Sequence, residues 1–319
     1  MVLDHLLERR LVVLSGKGGV GKSLVGTALA RVASDRGKRV LLVEVDTPRE
    51  AEAARYLGAG PVGSEVSEIQ SGLSVVNLDP RGVMDEYVRQ TVKVDFLARK
   101  IMDNPVYHRF FAAAPGLPEL MVMGKVMMLE QEKEGWGRRP RYDLVILDAP
   151  ATGHGLAFLK VPLAASKAVP VGPVGANARR ILTLLRDVER TALVLVAIPE
   201  EMAVVEAAEF HRMAKEEIGI EAQALILNAC HERRFTQAQE AEVLGLIAEG
   251  AGRRLPGGVP LAGALESARR HLRRAKLTRF YKNWLRRRLP LPTVSLPYLF
   301  DEEIGPASVD ALAERLAAA

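Results

Sequence analysis

The sequence predicts an α/β protein with a doubly wound, mostly parallel sheet and an inserted helical subdomain. Three observations carry that reading. Short apolar runs recur without the in-and-out alternation of half-exposed strands, helical stretches lie between them, and one separation is too long for a simple crossover.

Taken in chain order, "RLVVLSG" is a short buried strand ended by Gly16, and Lys22 to Arg36 is a helix closed by Gly37. The second strand is Arg39 to Val45 and the third is "LSVVNL", Leu73 to Leu78. Residues from about 80 to 140 then interrupt the alternation with a wholly helical pattern, which we read as a subdomain seated on the sheet. Within it, "GLPELMVMGKVMMLEQE" sets Met121, Met123, Met127 and Met128 among leucines and valines, so that apolar side chains cover most of one helix. Such a helix must be buried by its own core, a partner subunit or an apolar client, and methionine suits a surface that repacks around different ligands. Strands resume at Tyr142 to Asp148, Thr191 to Ile198, Ala222 to Ala229 and Pro292 to Pro297. Residues 1–319 are expected to form one domain carrying that single insertion.

The 319 residues are 48% hydrophobic and 26% charged, an ordinary soluble composition. No apolar run approaches the roughly 18 residues of a membrane span, and no targeting segment is readable, so the cytoplasm is the expected location. The single cysteine, Cys230, excludes an intramolecular disulfide and any site built from several thiolates. Net charge is +5, yet Ala268 to Arg288 alone holds ten Lys/Arg and no acid, which leaves the remainder at −5. One basic segment on an acidic body makes general nucleic-acid binding unlikely, although that segment could meet a phosphate-rich or acidic partner.

Gly16-Lys17-Gly18-Gly19-Val20-Gly21-Lys22-Ser23 matches the phosphate-binding pattern GxxxxGK[ST], and it stands between a strand and a helix as that motif requires. The glycines let backbone N–H groups face phosphates, Lys22 is placed to reach the β- and γ-phosphates of ATP, and the Ser23 hydroxyl to ligate Mg²⁺. A second magnesium carboxylate is expected at the end of a neighbouring strand, and "LVILD" ends in Asp148. The "APATGHGLAFL" after it has the glycines of a loop that moves when the γ-phosphate leaves, with His154 as a loop residue rather than a metal ligand. In "LLVEVDTPRE", Glu44 and Asp46 share a strand face, and Asp46 at the tip is expected to position the attacking water.

KGGVGKS, the VEVD tip, ILDAPATGHGL, IPEEMAVVEAAEF, LILNA and VSLPY together resemble the ArsA-type anion-transporting ATPases, in order from about residue 9 onward. That family includes arsenical pump-driving ATPases and guided-entry ATPases for tail-anchored membrane proteins. The resemblance implies a P-loop NTPase fold of the SIMIBI type and a deviant Walker A motif. It implies that Lys17 crosses a dimer interface to touch phosphates of the opposite subunit, and that Asn228, Pro297 and Tyr298 hold adenine. The chain departs from the family at Asp46-Thr47-Pro48-Arg49-Glu50, where the usual pattern is DPAH. Cys230 alone can build neither the family's metalloid site nor its zinc dimer clasp.

The expected function is a dimeric switch ATPase, paired with itself or a related chain, that couples ATP hydrolysis to a hydrophobic client or membrane partner. The alternatives are a positioning ATPase of the MinD/ParA class, a small-molecule kinase, and a weakly hydrolysing regulatory partner. Against the first stands the alanine-rich, nearly neutral "ASVDALAERLAAA", which lacks the features of an interfacial anchor.

Overall fold

The structure, a computed structural model, describes residues 2–45, 50–92, 94–107, 109, 114–135, 139–150, 152–248 and 261–319, the side chains of 152–154 and 248 excepted. Its strands are β1 (Leu11–Ser15), β2 (Val40–Val45), β3 (Ser67–Gln70), β4 (Leu73–Leu78), β5 (Lys133–Glu134), β6 (Arg139–Pro140), β7 (Leu144–Asp148), β8 (Thr191–Ala197), β9 (Ala222–Cys230) and β10 (Thr293–Pro297). Eight form one sheet in the order β10-β9-β8-β1-β7-β2-β4-β3, parallel throughout except for β3. The antiparallel edge strand β3 has no counterpart in the sequence reading, because three half-buried residues and one exposed residue, ending at a glycine turn, carry no long apolar run.

The principal helices are α1 (Val2–Leu7), α2 (Lys22–Asp35), α3 (Glu52–Tyr56), α4 (Pro80–Val92), α5 (Asp95–Met102), α6 (Leu117–Gln131), α7 (Thr152–Ala168), α8 (Pro173–Arg186), α9 (Glu201–Met213), α10 (Gln237–Ala248), α11 (Leu261–Arg288) and α12 (Pro306–Ala317). Strands β1, β7 and β8 are buried along their whole lengths because helices cover both faces of the sheet. One core joins the sheet to α1, α2, α3 and α12, and the other joins it to α6, α7, α8 and α9. This is the doubly wound arrangement expected from uninterrupted apolar strands.

The insertion holds α4, α5 and α6 but is not wholly helical. The short hairpin β5–β6 closes it, since the polar, charged residues after α6 end the apolar helical pattern and pair across a turn at Gly135. Buried Glu130, near the end of α6, ties the insertion to the sheet base through Arg10 at 3.4 Å and Arg190 at 2.7 Å. Most of the apolar circumference of α6 is internal: Leu120, Val122, Met123, Val126, Met127 and Leu129 are buried. Leu117 and Met121 are half-buried, and Met128 is 49% exposed.

Among the described residues no helix is long and apolar enough to cross a membrane. The acid-free segment Ala268 to Arg288 lies within one helix, α11.

Candidate functional site

The glycine-rich loop leaves the carboxyl end of β1 and enters α2. Parallel pairing sets Leu14 of β1 beside Asp148 of β7, so the last residue of one strand faces the loop that follows its neighbour. Ligand crevices of open α/β sheets form at these strand ends. Gly21 caps α2 in the left-handed region, at φ 83°, and a Cβ there would meet Asn228 Nδ2 at 2.5 Å. Gly16 is constrained by packing instead, because a Cβ would stand 2.2 Å from the Val196 carbonyl oxygen. Both positions therefore admit only glycine.

At the start of α2, Ser23 Oγ donates to Asp148 Oδ2 at 2.6 Å. The other carboxylate oxygen, Asp148 Oδ1, is buried without a hydrogen-bond partner among the described residues. Burial pushes the Asp148 carboxyl up to about 6, against the pull of the Ser23 hydroxyl and the Lys22 charge. A hydroxyl beside a carboxylate with an orphaned oxygen is a donor set that fits a hard divalent cation such as Mg²⁺, which prefers oxygen ligands. Lys22 Nζ reaches the Lys17 carbonyl at 3.5 Å, and burial lowers its pKa while Asp148 and Glu52 oppose that shift. The loop thus holds a partly desolvated ammonium beside a buried carboxylate, an environment that an incoming phosphate would complete.

Lys17 turns away from this cradle within its own chain. Its Nζ pairs at 2.6 Å with Glu206 of α9, both side chains being about one-third exposed. Nothing in the residue spacing announces that pair. Asp46 lies outside the described residues, as do Thr47, Pro48 and Arg49, and the His154 side chain is likewise not described.

Glu44, two residues before Asp46, is fully buried on β2. Its oxygens accept the Glu52 and Ala53 backbone N–H groups at 2.7 and 2.8 Å, so it caps α3, the helix that follows the segment containing Asp46. Burial outweighs those two bonds and, with the nearby Asp148 charge, pushes the Glu44 carboxyl up to about 7. The folded state therefore holds a proton that the unfolded chain releases near its ordinary value of 4.5. Between those limits the native state binds more protons, so stability falls as pH rises. The expected loss attributable to Glu44 between pH 4.5 and 7.5 is about 3 kcal/mol. Urea unfolding at both pH values should show Glu44→Gln with a correspondingly smaller pH dependence; an unchanged dependence would assign the effect elsewhere.

Beyond the loop, a cleft of about 330 Å³ opens at the ends of β8 and β9, lined among others by Gly19, Pro199, Asn228, His231 and Tyr298. Asn228 Nδ2 donates to the Val20 carbonyl at 2.9 Å and so fastens the end of β9 to the phosphate loop. Tyr298 stacks on His231 with centroids 4.6 Å apart and planes at 19°, and Phe300 meets Tyr298 edge-on. Burial and the neighbouring Arg274 hold His231 below its usual pKa, which favours a neutral ring. Pro297 pairs with Cys230 at the β10 edge and is not among the residues lining the cleft. Of the three residues expected at adenine, two line the cleft, and His231 and Pro199 join them. A histidine one residue beyond Cys230 gives no signal by itself, because its partner Tyr298 is distant in sequence.

A family model described as Anion-transporting ATPase matches residues 9–171. The ATPase BagA of Mycobacterium tuberculosis is 29% identical over 309 residues, covering 90% of this chain and 88% of its own length. The ATPase GET3C of Arabidopsis thaliana is 24% identical over 293 residues, covering 75% of this chain and 74% of its own. An arsenical pump-driving ATPase of Escherichia coli is 28% identical over 230 residues, which are 67% of this chain and 38% of that protein.

Proposed function

The chain belongs to the anion-transporting ATPase family and is an ATPase, and we propose that it works in the cytoplasm as a Mg²⁺-dependent, nucleotide-closed dimer that handles an apolar client. The observation that carries the catalytic half is the Ser23–Asp148 pair beside Lys22, at the junction of β1 with α2.

In this reading the loop N–H groups from Gly16 to Ser23 hold the β- and γ-phosphates, and Lys22 neutralises charge developing on their oxygens. Ser23 and Asp148 would hold Mg²⁺, which when bound would supply positive charge against the negative charge of the phosphates. Asp46 positions the attacking water, and ADP and phosphate leave. Asn228 and Tyr298 orient the base in the adjoining cleft, with His231 buttressing the tyrosine ring. Lys17 exchanges its intrachain partner Glu206 for the phosphates of a second subunit, either a copy of this chain or a related ATPase.

The client half is supported by a groove of about 730 Å³ between α4, α6 and α8, lined by Tyr87, Leu117, Met121, Met128 and Val174 among others. An apolar helical segment of another protein suits its size and its three adaptable methionines, Met84, Met121 and Met128. A positioning ATPase that docks on a membrane through α12 is disfavoured, because α12 buries Val309, Leu312 and Leu316 in the core it shares with α2.

Charging the groove tests the client reading. The double variant Met121→Asp/Met128→Asp should lose at least tenfold in affinity for a synthetic apolar helical peptide, while its basal ATP turnover stays within twofold of wild type. Undiminished peptide capture would remove the groove from the proposal.

A further inference from the structure

A second concavity, of about 670 Å³, lies at the β10 edge of the sheet between α10 and α11, with Arg315 of α12 on its rim. Among the described residues it shares only His231 with the cleft beside the phosphate loop. Leu272 and Ala275 of α11 and Leu296 of β10 give it apolar lining, and most of its other lining side chains are cationic or polar. Among the described residues two acids line it, and each is already engaged: Glu240 with Arg233 at 2.9 Å and Glu232 with Arg315 at 3.1 Å. Arg269 pairs with Glu266 at 3.0 Å. Arg273, Lys276, Arg279 and Lys282 also line the concavity, and none has an ion-pair partner among the described residues. The sequence of 249–260 adds one acid and two arginines, too little negative charge to neutralise four cations.

Like charges at three-residue spacing on a helix repel one another, and the chain keeps four in succession on the wall of one basin. On a convex surface such a run is merely solvated. Here it bounds a concavity of ligand size, and Arg233 and Arg315 arrive at the rim from two other elements. Guanidinium forks match phosphate oxygens in pairs, and several cations converging on one volume favour an anion of several charges over a single carboxylate. We propose that this basin binds a small polyphosphorylated anion through Arg273, Lys276, Arg279 and Lys282. The apolar lining accommodates an organic group attached to the phosphates.

The test is calorimetric titration of sodium tripolyphosphate into the full-length Lys22→Ala chain, in which the phosphate loop is disabled, at near-physiological salt. One site is expected. The further triple variant Arg273→Gln/Lys276→Gln/Arg279→Gln should weaken it at least tenfold with its thermal unfolding temperature retained. The triple variant Arg286→Gln/Arg287→Gln/Arg288→Gln, which removes equal charge from the same helix outside the basin, should weaken it less than threefold. Absence of binding, or equal weakening by both triples, overturns the proposal, the latter because it reports plain charge attraction. Cosedimentation with vesicles carrying a phosphorylated inositol lipid separates the two sources of the ligand. Vesicle binding that the basin triple abolishes, alongside tripolyphosphate binding, makes the headgroup a source; vesicle binding without tripolyphosphate binding overturns the proposal.

Discussion

Lys17→Ala is expected to lower ATP turnover by about 10³-fold and to abolish ATP-dependent dimerisation, measured as phosphate release and as molar mass in Mg·ATP against Mg·ADP. The expectation rests on the proposed trans role, since a cation inserted from a second subunit stabilises transition-state charge by factors of about 10³ to 10⁵. The competing account is that Lys17 only braces α9 through Glu206, an ion pair at 2.6 Å between side chains about one-third exposed. Pairs that open to solvent contribute at most about 1 kcal/mol. A thousandfold loss corresponds to about 4 kcal/mol, so bracing is too weak to produce it. The companion variant separates the two directly. Glu206→Ala removes the brace and leaves the lysine, so turnover should be retained or raised if Lys17 acts across the interface, and should fall with Lys17→Ala if the brace matters. A Lys17→Ala chain that dimerises and turns over as wild type would end the trans reading.

The parts of this protein legible in its sequence are those determined by neighbours along the chain. The phosphate loop is one, because the left-handed backbone of Gly21 is a local requirement that favours glycine, whereas the crowding at Gly16 comes from Val196 on a strand distant in sequence. The apolar runs are another, since a strand covered by helices on both faces needs no alternation, and β7 and β8 lie within the expected strands Tyr142 to Asp148 and Thr191 to Ile198. What escaped reading depends on residues far apart in sequence. Glu206 is 189 residues from Lys17, and no local pattern marks it as a partner. His231 finds its stacking partner only because the chain after β10 delivers Tyr298 onto its ring. The hairpin β5–β6 was hidden for a different reason: two residues per strand are too few for any periodicity. The basic segment was visible as composition, but its concave setting arises only when α11 folds beside α10 and the end of β9.

Asp148→Asn should separate function from stability in opposite directions. The side chain keeps its shape and can still accept the Ser23 hydroxyl, which donates to Asp148 Oδ2 at 2.6 Å. The substitution removes a negative charge from a site where burial has pushed the carboxyl from 3.8 up to about 6. A carboxyl whose pKa is raised on folding destabilises the native state increasingly as pH climbs through that interval, and the full penalty is present above it. At pH 7.5 that penalty is about 3 kcal/mol, so the nucleotide-free Asn variant should unfold at higher urea than wild type, by up to that amount. Turnover should move the other way. A carboxylate proposed to hold Mg²⁺ against the phosphates does its work in the transition state, and its loss is expected to cost about 10² to 10³ in rate and to raise the magnesium concentration needed for half-maximal activity. An aspartate present only for structure would behave in reverse, losing stability when neutralised and leaving the magnesium requirement alone. Urea melts at pH 5 and 7.5, paired with magnesium titrations of phosphate release, decide between them: a destabilised variant with an unaltered magnesium curve would return Asp148 to the core. The same pair of measurements bears on Glu44, whose carboxyl is raised partly by the Asp148 charge. In the Asn variant that contribution disappears, so the Glu44-dependent fall in stability should shrink and shift to lower pH.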